Sequence, residues 1–181
     1  MLECDRYWLL IWTTYGTWLP GDRQGFVGPL RDGEGRRVIH NAVGTPYDRS
    51  LPAVSYYARQ KLRGPPILLN QLHADAIVMQ LLAHAAFREH ALQAAALMAN
   101  HCHIVVGVPG DPAPSRLLGD YKSYLSRNLN VRFSRPIGGT WWTESGSKRK
   151  LPPSAVQPAV EYVRRQHRPL SVWIADHWQV D

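Results

Sequence analysis

The segment ALQAAALMANHCHIVVGV, residues 91–108, predicts two antiparallel β-strands, Ala91–Ala99 and His101–Val108, joined by a tight turn at Asn100. Successive side chains of a strand point to opposite faces, so His101 and His103 lie on the same face. Cys102, between them, points the other way, into the core. The second strand therefore carries two imidazoles on one rigid surface.

Helices are predicted on either side of this strand pair. The stretch from Ala74 to His90 repeats core residues at steps of three and four, which is typical of an amphipathic helix. Its core face is Ala76, Ile77, Gln80, Leu81, His84 and Phe87. Ser115 is a candidate N-cap for a second helix that runs to about Phe133. The apolar stripe of that helix is Leu117, Leu118, Tyr121, Tyr124 and Leu125.

The remaining elements complete an α+β pattern. Tyr7–Tyr15 is aromatic and β-branched and predicts a buried central strand. Residues 138–143, GGTWWT, predict another strand, and the basic run Lys148–Lys150 follows it. A last helix begins near Ser154 or Gln157, either of which could cap it, and ends before Pro169. This order favours an antiparallel sheet with ferredoxin-like βαββαβ connectivity.

The chain length, 181 residues, fits one domain, 1–181. Residues 21–64 are rich in glycine and proline and predict a long loop or insertion, with a short helix around Val54–Leu62. The tail, residues 170–181, contains two tryptophans and is expected to pack back on the domain.

The charge distribution indicates an anionic partner. The net charge is +7, and eleven Lys and Arg residues against three acidic residues lie between Ser115 and Arg168. A nucleic acid is the commonest partner of such a surface. Two cysteines, Cys4 and Cys102, cannot make a disulfide framework. With no signal peptide and no membrane-length apolar run, we expect a soluble protein of the cytoplasm with no membrane partner.

The two histidines form half of a site for a divalent metal, with the other positions left to oxygen ligands, water or a phosphate. Two surface histidines on a solvated sheet face are the alternative interpretation. On the last helix, Tyr162 and Gln166 are four residues apart and lie together at the edge of the apolar stripe. A tyrosine beside a metal can attack a phosphate, and Gln166 can add a neutral oxygen ligand. A tyrosine at the protein–water boundary is the alternative.

Other residues have competing interpretations. Tyr121 and Tyr124 are rival nucleophiles, although their helical stripe favours core packing. Lys122 and Arg127 lie off that stripe and suit phosphate contacts. The tryptophans at 141 and 142 with Lys148–Lys150 are typical of single-strand binding, or of a core strand followed by a charged turn. No nucleotide-binding, zincin or serine-hydrolase motif is present.

Three stretches together resemble the HUH superfamily (His, hydrophobic, His) of single-tyrosine transposases. They are Tyr15–Asp22, which reads YGTWLPGD, the strand Met98–His103, and Tyr162 with Gln166. The resemblance is to REP-associated tyrosine transposases and related single-strand insertion-sequence transposases. This chain departs from the pattern at Ala99, where a proline is usual, and in its longer segment 21–64.

The resemblance implies a ferredoxin-like sheet with the His-x-His strand in the middle. It also implies that His101, His103 and Gln166 hold Mg²⁺ or Mn²⁺, and that Tyr162 cleaves single-stranded DNA at hairpin-associated sites. The product would be a 5′-phosphotyrosine and a free 3′-hydroxyl. Candidate DNA contacts are Lys122, Arg127, Lys148, Arg149, Lys150 and Arg165.

A second hypothesis is a non-catalytic, domesticated hairpin-binding module of the same fold. The sequence leaves open the DNA target, a monomer or a homodimer, and whether Tyr162 serves its own subunit or a partner.

Overall fold

The computed structural model describes residues 4–23, 28–31, 34–41 and 51–176. Its seven strands are β1 (Arg6–Thr13), β2 (Gly28–Arg31), β3 (Arg37–His40), β4 (Ala91–Leu97), β5 (His101–Val108), β6 (Ser147–Leu151) and β7 (Ser171–Ile174). Its four helices are α1 (Pro52–Gln60), α2 (Gln71–Phe87), α3 (Pro114–Arg132) and α4 (Val156–Arg164).

Five strands form one antiparallel sheet in the order β6-β1-β5-β4-β7. Along the chain, β1-α2-β4-β5-α3-β6 is a βαββαβ unit whose four strands have the ferredoxin-like arrangement. The predicted fold class is confirmed, and the His-x-His strand β5 is the middle strand of the five. The buried strand predicted at residues 7–15 is β1, which has a neighbour on each side.

Two apolar layers cover the two faces of the sheet. Helices α2 and α3 pack on one face, where Cys102, Ile104 and Val106 of β5 join the larger core cluster. Helix α4 covers part of the other face through four buried residues, and its partners there include Val105 of β5. The buried residues of α4 are Val156, Ala159, Val160 and Val163. Since strand side chains alternate, this second face is the one that carries His101 and His103.

The helix boundaries correct several predicted caps. Helix α2 begins earlier than expected because Asn70 and His73 form a reciprocal capping box. Helix α3 follows Ala113 and begins with Pro114, so Ser115 lies inside the helix and does not cap it. Neither Ser154 nor Gln157 caps α4: its N-cap is Ala155, which makes no side-chain hydrogen bond.

One predicted core residue of α2 is exposed. Phe87 is the last helical residue, has 74% of its surface exposed, and lies under the guanidinium of Arg88. A helix turns by about 100° per residue, so Phe87 points about 80° away from Ile77 at the centre of the buried stripe. Phe87 fits the three- and four-residue spacing of the helix, but its ring lies outside the core.

The strand predicted at residues 138–143 is wrong. Only one bridge, Thr14 to Trp142, forms there, and the next strand is β6, at the basic run for which a charged turn was one of two interpretations. The carbonyl oxygens of residues 143–145 accept hydrogen bonds from Lys122 instead of from a neighbouring strand. Strand β6 is at the sheet edge, where cationic side chains can reach water.

The insertion and the tail contain strands that the sequence did not predict. Strands β2 and β3 pair as a hairpin inside the insertion, and the short helix predicted at Val54–Leu62 is α1. The tail does return to the domain: β7 extends the sheet by pairing with β4. The rest of the tail, residues 177–181, lies outside the described residues.

Candidate active site on the His-x-His face

His101 and His103 share one face of β5, as the two-residue spacing predicted. Their rings are 5.0 Å apart between centroids. On the neighbouring strand, Thr13 lies opposite His101 and Ile11 lies opposite His103. The pair is therefore held on the middle strand of the sheet, where backbone hydrogen bonds to β1 and β4 fix both Cα positions.

The protonation state of both imidazoles, neutral at pH 7, suits metal binding. The Nδ1–H of His101 donates to Oδ1 of Asn100 at 2.6 Å, which leaves Nε2 of His101 with its lone pair. His103 is only 3% exposed, and burial followed by the nearby His101 lowers its pKa to about 4. Burial also lowers the pKa of His101. Both rings are neutral at pH 7, the form that ligates a cation.

The Nδ1 atom of His103 is buried and has no hydrogen-bond partner within the described part of the chain. A buried ring nitrogen without a partner is costly unless something else occupies it. The two neutral rings thus fit the chemistry of a divalent-metal half-site. No cluster of three or more His, Cys, Asp or Glu side chains forms within the described ranges, so further ligands have to be of another kind.

Tyr162 is brought to this pair by α4. The apolar side of the helix packs on the sheet face, and Val163 is fully buried beside Tyr162. The Tyr162 ring lies 5.5 Å from the His103 ring between centroids, and 49% of its side chain is exposed. The ring is thus in contact with the histidine surface and open to a molecule as large as DNA.

Gln166 lies just beyond the helix that was expected to carry it, since α4 ends at Arg164. Its side-chain amide donates to the backbone carbonyl of Tyr162 at 3.0 Å, so the two residues remain neighbours one turn apart. This bond uses the nitrogen of the amide, and the carbonyl oxygen is the atom left for a cation.

The six candidate DNA contacts divide between two faces. In the register of β6, Arg149 lies opposite Leu9 and so shares the face of the histidines. Lys148 and Lys150 alternate to the other face, where Lys150 lies over the Trp8 ring and pairs with Asp111. Arg165 follows α4, beside Glu161. Lys122 and Arg127 belong to α3, which covers the opposite face.

Lys122 has a structural contact set. Its ammonium donates to the carbonyl oxygens of residues 143, 144 and 145 at 2.5–3.0 Å. Burial, assisted by Lys148 and opposed by Glu144, lowers the pKa of Lys122 to about 8. This lysine holds the loop that leads into β6.

The aromatic residues that suggested base stacking are in the core. Trp141 and Trp142 are both buried, and their indole nitrogens donate to Asn130 and to the carbonyl of Lys122. Tyr121 is also fully buried, and burial raises the pKa of its phenol. Tyr121 and Tyr124 both lie on α3, across the sheet from the histidines. Tyr121 is in the core, as their stripe favoured, whereas Tyr124 is only partly buried, against the ring of His84.

Sequence reasoning missed the residues that shape the turn before β5. The backbone carbonyl of Asn100 accepts a hydrogen bond from the amide of Thr14, and the hydroxyl of Thr17 lies 3.3 Å from the same oxygen. The side chain of Asn100 at the same time orients His101. An asparagine in a tight turn, directly before a candidate ligand, was a signal for this role.

The match to a family model agrees with the sequence motifs. The family model described as transposase IS200 like matches residues 70–166, which is more than half of the chain. No curated protein matches the sequence. A solved structure of a REP-associated tyrosine transposase bound to a REP hairpin is 12% identical, with a TM-score of 0.43; the match covers 90% of this chain and 67% of that one. Within the described ranges, no helix has both the length and the apolar character that crossing a bilayer needs.

Proposed function

Because this chain belongs to the IS200-like transposase family, we propose that it cleaves and rejoins single-stranded DNA through a covalent bond to Tyr162. The observation that carries the proposal is the Tyr162 ring, 5.5 Å from that of His103 and half exposed. A nucleophile beside neutral imidazoles on a rigid strand is the arrangement that metal-assisted phosphoryl transfer requires.

His101, His103 and the amide oxygen of Gln166 would hold the divalent cation, Mg²⁺ or Mn²⁺. When bound, such a cation polarises the scissile phosphoryl group and lowers the pKa of a neighbouring hydroxyl. Two features of the protein favour binding of the cation: both imidazoles are neutral, and the hydrogen bond to Asn100 orients His101. These are properties of the protein alone.

In the cleavage step, the phenolic oxygen of Tyr162 attacks the scissile phosphorus and loses its proton to solvent. The bond from phosphorus to the 3′-oxygen breaks, and that oxygen takes up a proton to become a 3′-hydroxyl. The strand on the other side stays attached as a 5′-phosphotyrosine. Attack by another 3′-hydroxyl reverses the step, so strand transfer needs no high-energy cofactor.

The substrate we propose is single-stranded DNA at hairpin-associated sites, such as REP-like or insertion-end sequences, encountered in the cytoplasm. The net charge of +7 favours a polyanion; Arg149 shares the face of the histidines, and Arg165 follows the helix that carries Tyr162. Lys148, Lys150, Lys122 and Arg127 would meet DNA only if it also passes the opposite face.

A denaturing gel tests this function. Labelled single-stranded hairpins from the genomic neighbourhood are mixed with the protein and Mn²⁺, using wild type, Tyr162→Phe and the double variant His101→Ala/His103→Ala. We expect a denaturant-resistant protein–DNA band with wild type alone. Tyr124→Phe is the matched control, since Tyr124 lies across the sheet, and it should form the band normally.

Other patterns contradict the proposal. A band that survives in Tyr162→Phe would move the nucleophile to another tyrosine. Tight hairpin binding by all variants, with no band from any of them and no effect of a chelator, would indicate the non-catalytic binding module instead.

A further inference from the structure

Helix α1 makes an exposed aromatic surface that the cleavage site does not use. None of its nine residues is buried. Tyr56 and Tyr57 are 67% and 63% exposed on adjacent positions of the helix. The helix lies outside residues 70–166, which the family model matches.

The same surface is cationic. Arg59, Lys61 and Arg63 follow the tyrosines, and residues 51–70 contain no acidic side chain. The Lys61 ammonium lies over the Tyr57 ring at 5.1 Å from its centroid, and Arg59 pairs with Asp22. We call Tyr56, Tyr57, Arg59, Lys61 and Arg63 the α1 surface.

The α1 surface is fastened to the end of β1. The hydroxyl of Tyr15 accepts a hydrogen bond from the backbone amide of Arg63 at 2.7 Å. The carboxylate of Asp22 accepts one from the Ser55 hydroxyl at 2.6 Å. Gly21 has φ +85°, and a Cβ there would collide with the backbone of Leu51. The segment Tyr15–Asp22 therefore serves as the mount for α1.

This mount is continuous with the candidate active site. The backbone amide of Thr14 donates to the carbonyl oxygen of Asn100, and the side chain of Asn100 binds His101. Thr13, just before the mount, is paired with His101 across the β1–β5 ladder. The α1 surface is thus attached at the end of the sheet where the His-x-His strand begins.

We propose that the α1 surface binds single-stranded DNA, with Tyr56 and Tyr57 stacking on bases and with Lys61 and Arg63 contacting phosphates. Exposed aromatic rings among cations are the elements that bind single strands without sequence readout. The proposal rests on the proposed function, since the bound strand is taken to be the one that also enters the His-x-His site. The negative phosphates of single-stranded DNA complement the positive charge of the α1 surface, and its bases can stack on the exposed tyrosine rings.

The test measures binding of a fluorescein-labelled oligothymidylate by fluorescence anisotropy across a salt series, using the full-length protein. Tyr56→Ala and Tyr57→Ala should each weaken binding by about tenfold, because stacking on the ring is lost. Tyr56→Phe and Tyr57→Phe keep the ring and should bind as wild type does. Lys61→Gln should lower the slope of log affinity against log salt by about one.

Phe87→Ala is the matched control. Phe87 is equally exposed and also lies beside a cation, Arg88, but that cation pairs with Asp120 on the α2–α3 face. We expect no change in affinity from this variant. Since all the altered side chains are exposed, folding is retained, which circular dichroism checks.

The outcomes separate this inference from the proposed function. If wild type forms the covalent adduct but Tyr56→Ala/Tyr57→Ala binds DNA as wild type does, the α1 proposal fails and the cleavage proposal stands. Weakened binding in the double variant together with no adduct in wild type leaves the surface supported and the cleavage proposal refuted. Unchanged affinity with a lower sedimentation coefficient would overturn the DNA proposal in favour of contact with a second copy.

Discussion

Asn100 is the residue whose single change probes the proposed metal half-site most cleanly. It accepts the Nδ1–H of His101 and thereby fixes the ring and its tautomer. Asn100→Ala removes this partner without touching a ligand, and we expect the affinity for Mn²⁺ to fall by about 10- to 100-fold. Isothermal titration with Mn²⁺ measures it. Asn100→Asp keeps an acceptor and should retain most of the affinity; equal loss in both variants would contradict this role.

We expect His84 to make the free energy of unfolding depend on pH. It is buried against the rings of Tyr121 and Tyr124, and neither ring nitrogen of His84 has a partner within the described part of the chain. Burial first, then nearby positive groups, lowers its pKa from 6.5 to about 4. The charged groups around it are Arg88, His90 and Arg127, opposed by Asp120.

The sign follows from the direction of that shift. The unfolded chain takes up a proton at His84 below about pH 6.5, whereas the folded chain resists until about pH 4. The free energy of unfolding is therefore unaffected by His84 above about pH 6.5 and decreases as the pH falls from there to about 4. The loss from this residue is at most about 3 kcal/mol. His84→Phe should flatten the decline in the free energy of unfolding between about pH 7 and pH 5 in urea titrations. An unchanged decline would show that His84 does not contribute.

At the scale of elements, the basic residues of β6 alternate between the two faces of the sheet. Arg149 shares the face of the histidines, whereas Lys150 lies on the other face and pairs with Asp111. We expect Arg149→Ala to weaken hairpin binding and lower the salt slope by about one, and Lys150→Ala to leave both nearly unchanged. Salt-dependent anisotropy compares the two variants. A larger effect from Lys150→Ala would place the DNA on the opposite face.

The sequence predicted the elements whose signals were periodic or alternating. The strand pair β4–β5, the central strand β1 and the apolar face of α4 all follow from such patterns. The face shared by His101 and His103 follows from the period of two alone.

What the sequence could not supply depended on contacts between distant segments. The basic run Lys148–Lys150 has no strand pattern, and it becomes β6 because the edge of β1 pairs with it. The segment 138–143 has strand-like residues but forms no strand. The carbonyl oxygens of residues 143–145 accept hydrogen bonds from Lys122, on a helix elsewhere in the chain, and not from a neighbouring strand. The distance between Tyr162 and His103 likewise exists only after α4 docks on the sheet.

At the scale of the whole molecule, one chain contains both the tyrosine and the histidine pair. The 5.5 Å contact between Tyr162 and His103 lies within a single subunit, and we predict that each copy of the chain uses its own tyrosine. We predict that mixing Tyr162→Phe with His101→Ala/His103→Ala yields no covalent adduct and no strand cleavage. Each variant alone and the wild type serve as controls on the same denaturing gel. Restored activity in the mixture would mean that subunits exchange α4 in a dimer.

The measurement that tests the central claim most directly is peptide mapping of the covalent product. Wild-type protein is incubated with a single-stranded hairpin and Mn²⁺, the DNA is trimmed with nuclease, and the tryptic peptides are analysed by mass spectrometry. We predict a nucleotide attached through a phosphodiester to Tyr162, in the peptide Leu151–Arg164. A nucleotide on any other residue, or none while the DNA is cleaved, would contradict the assignment of Tyr162 as the nucleophile.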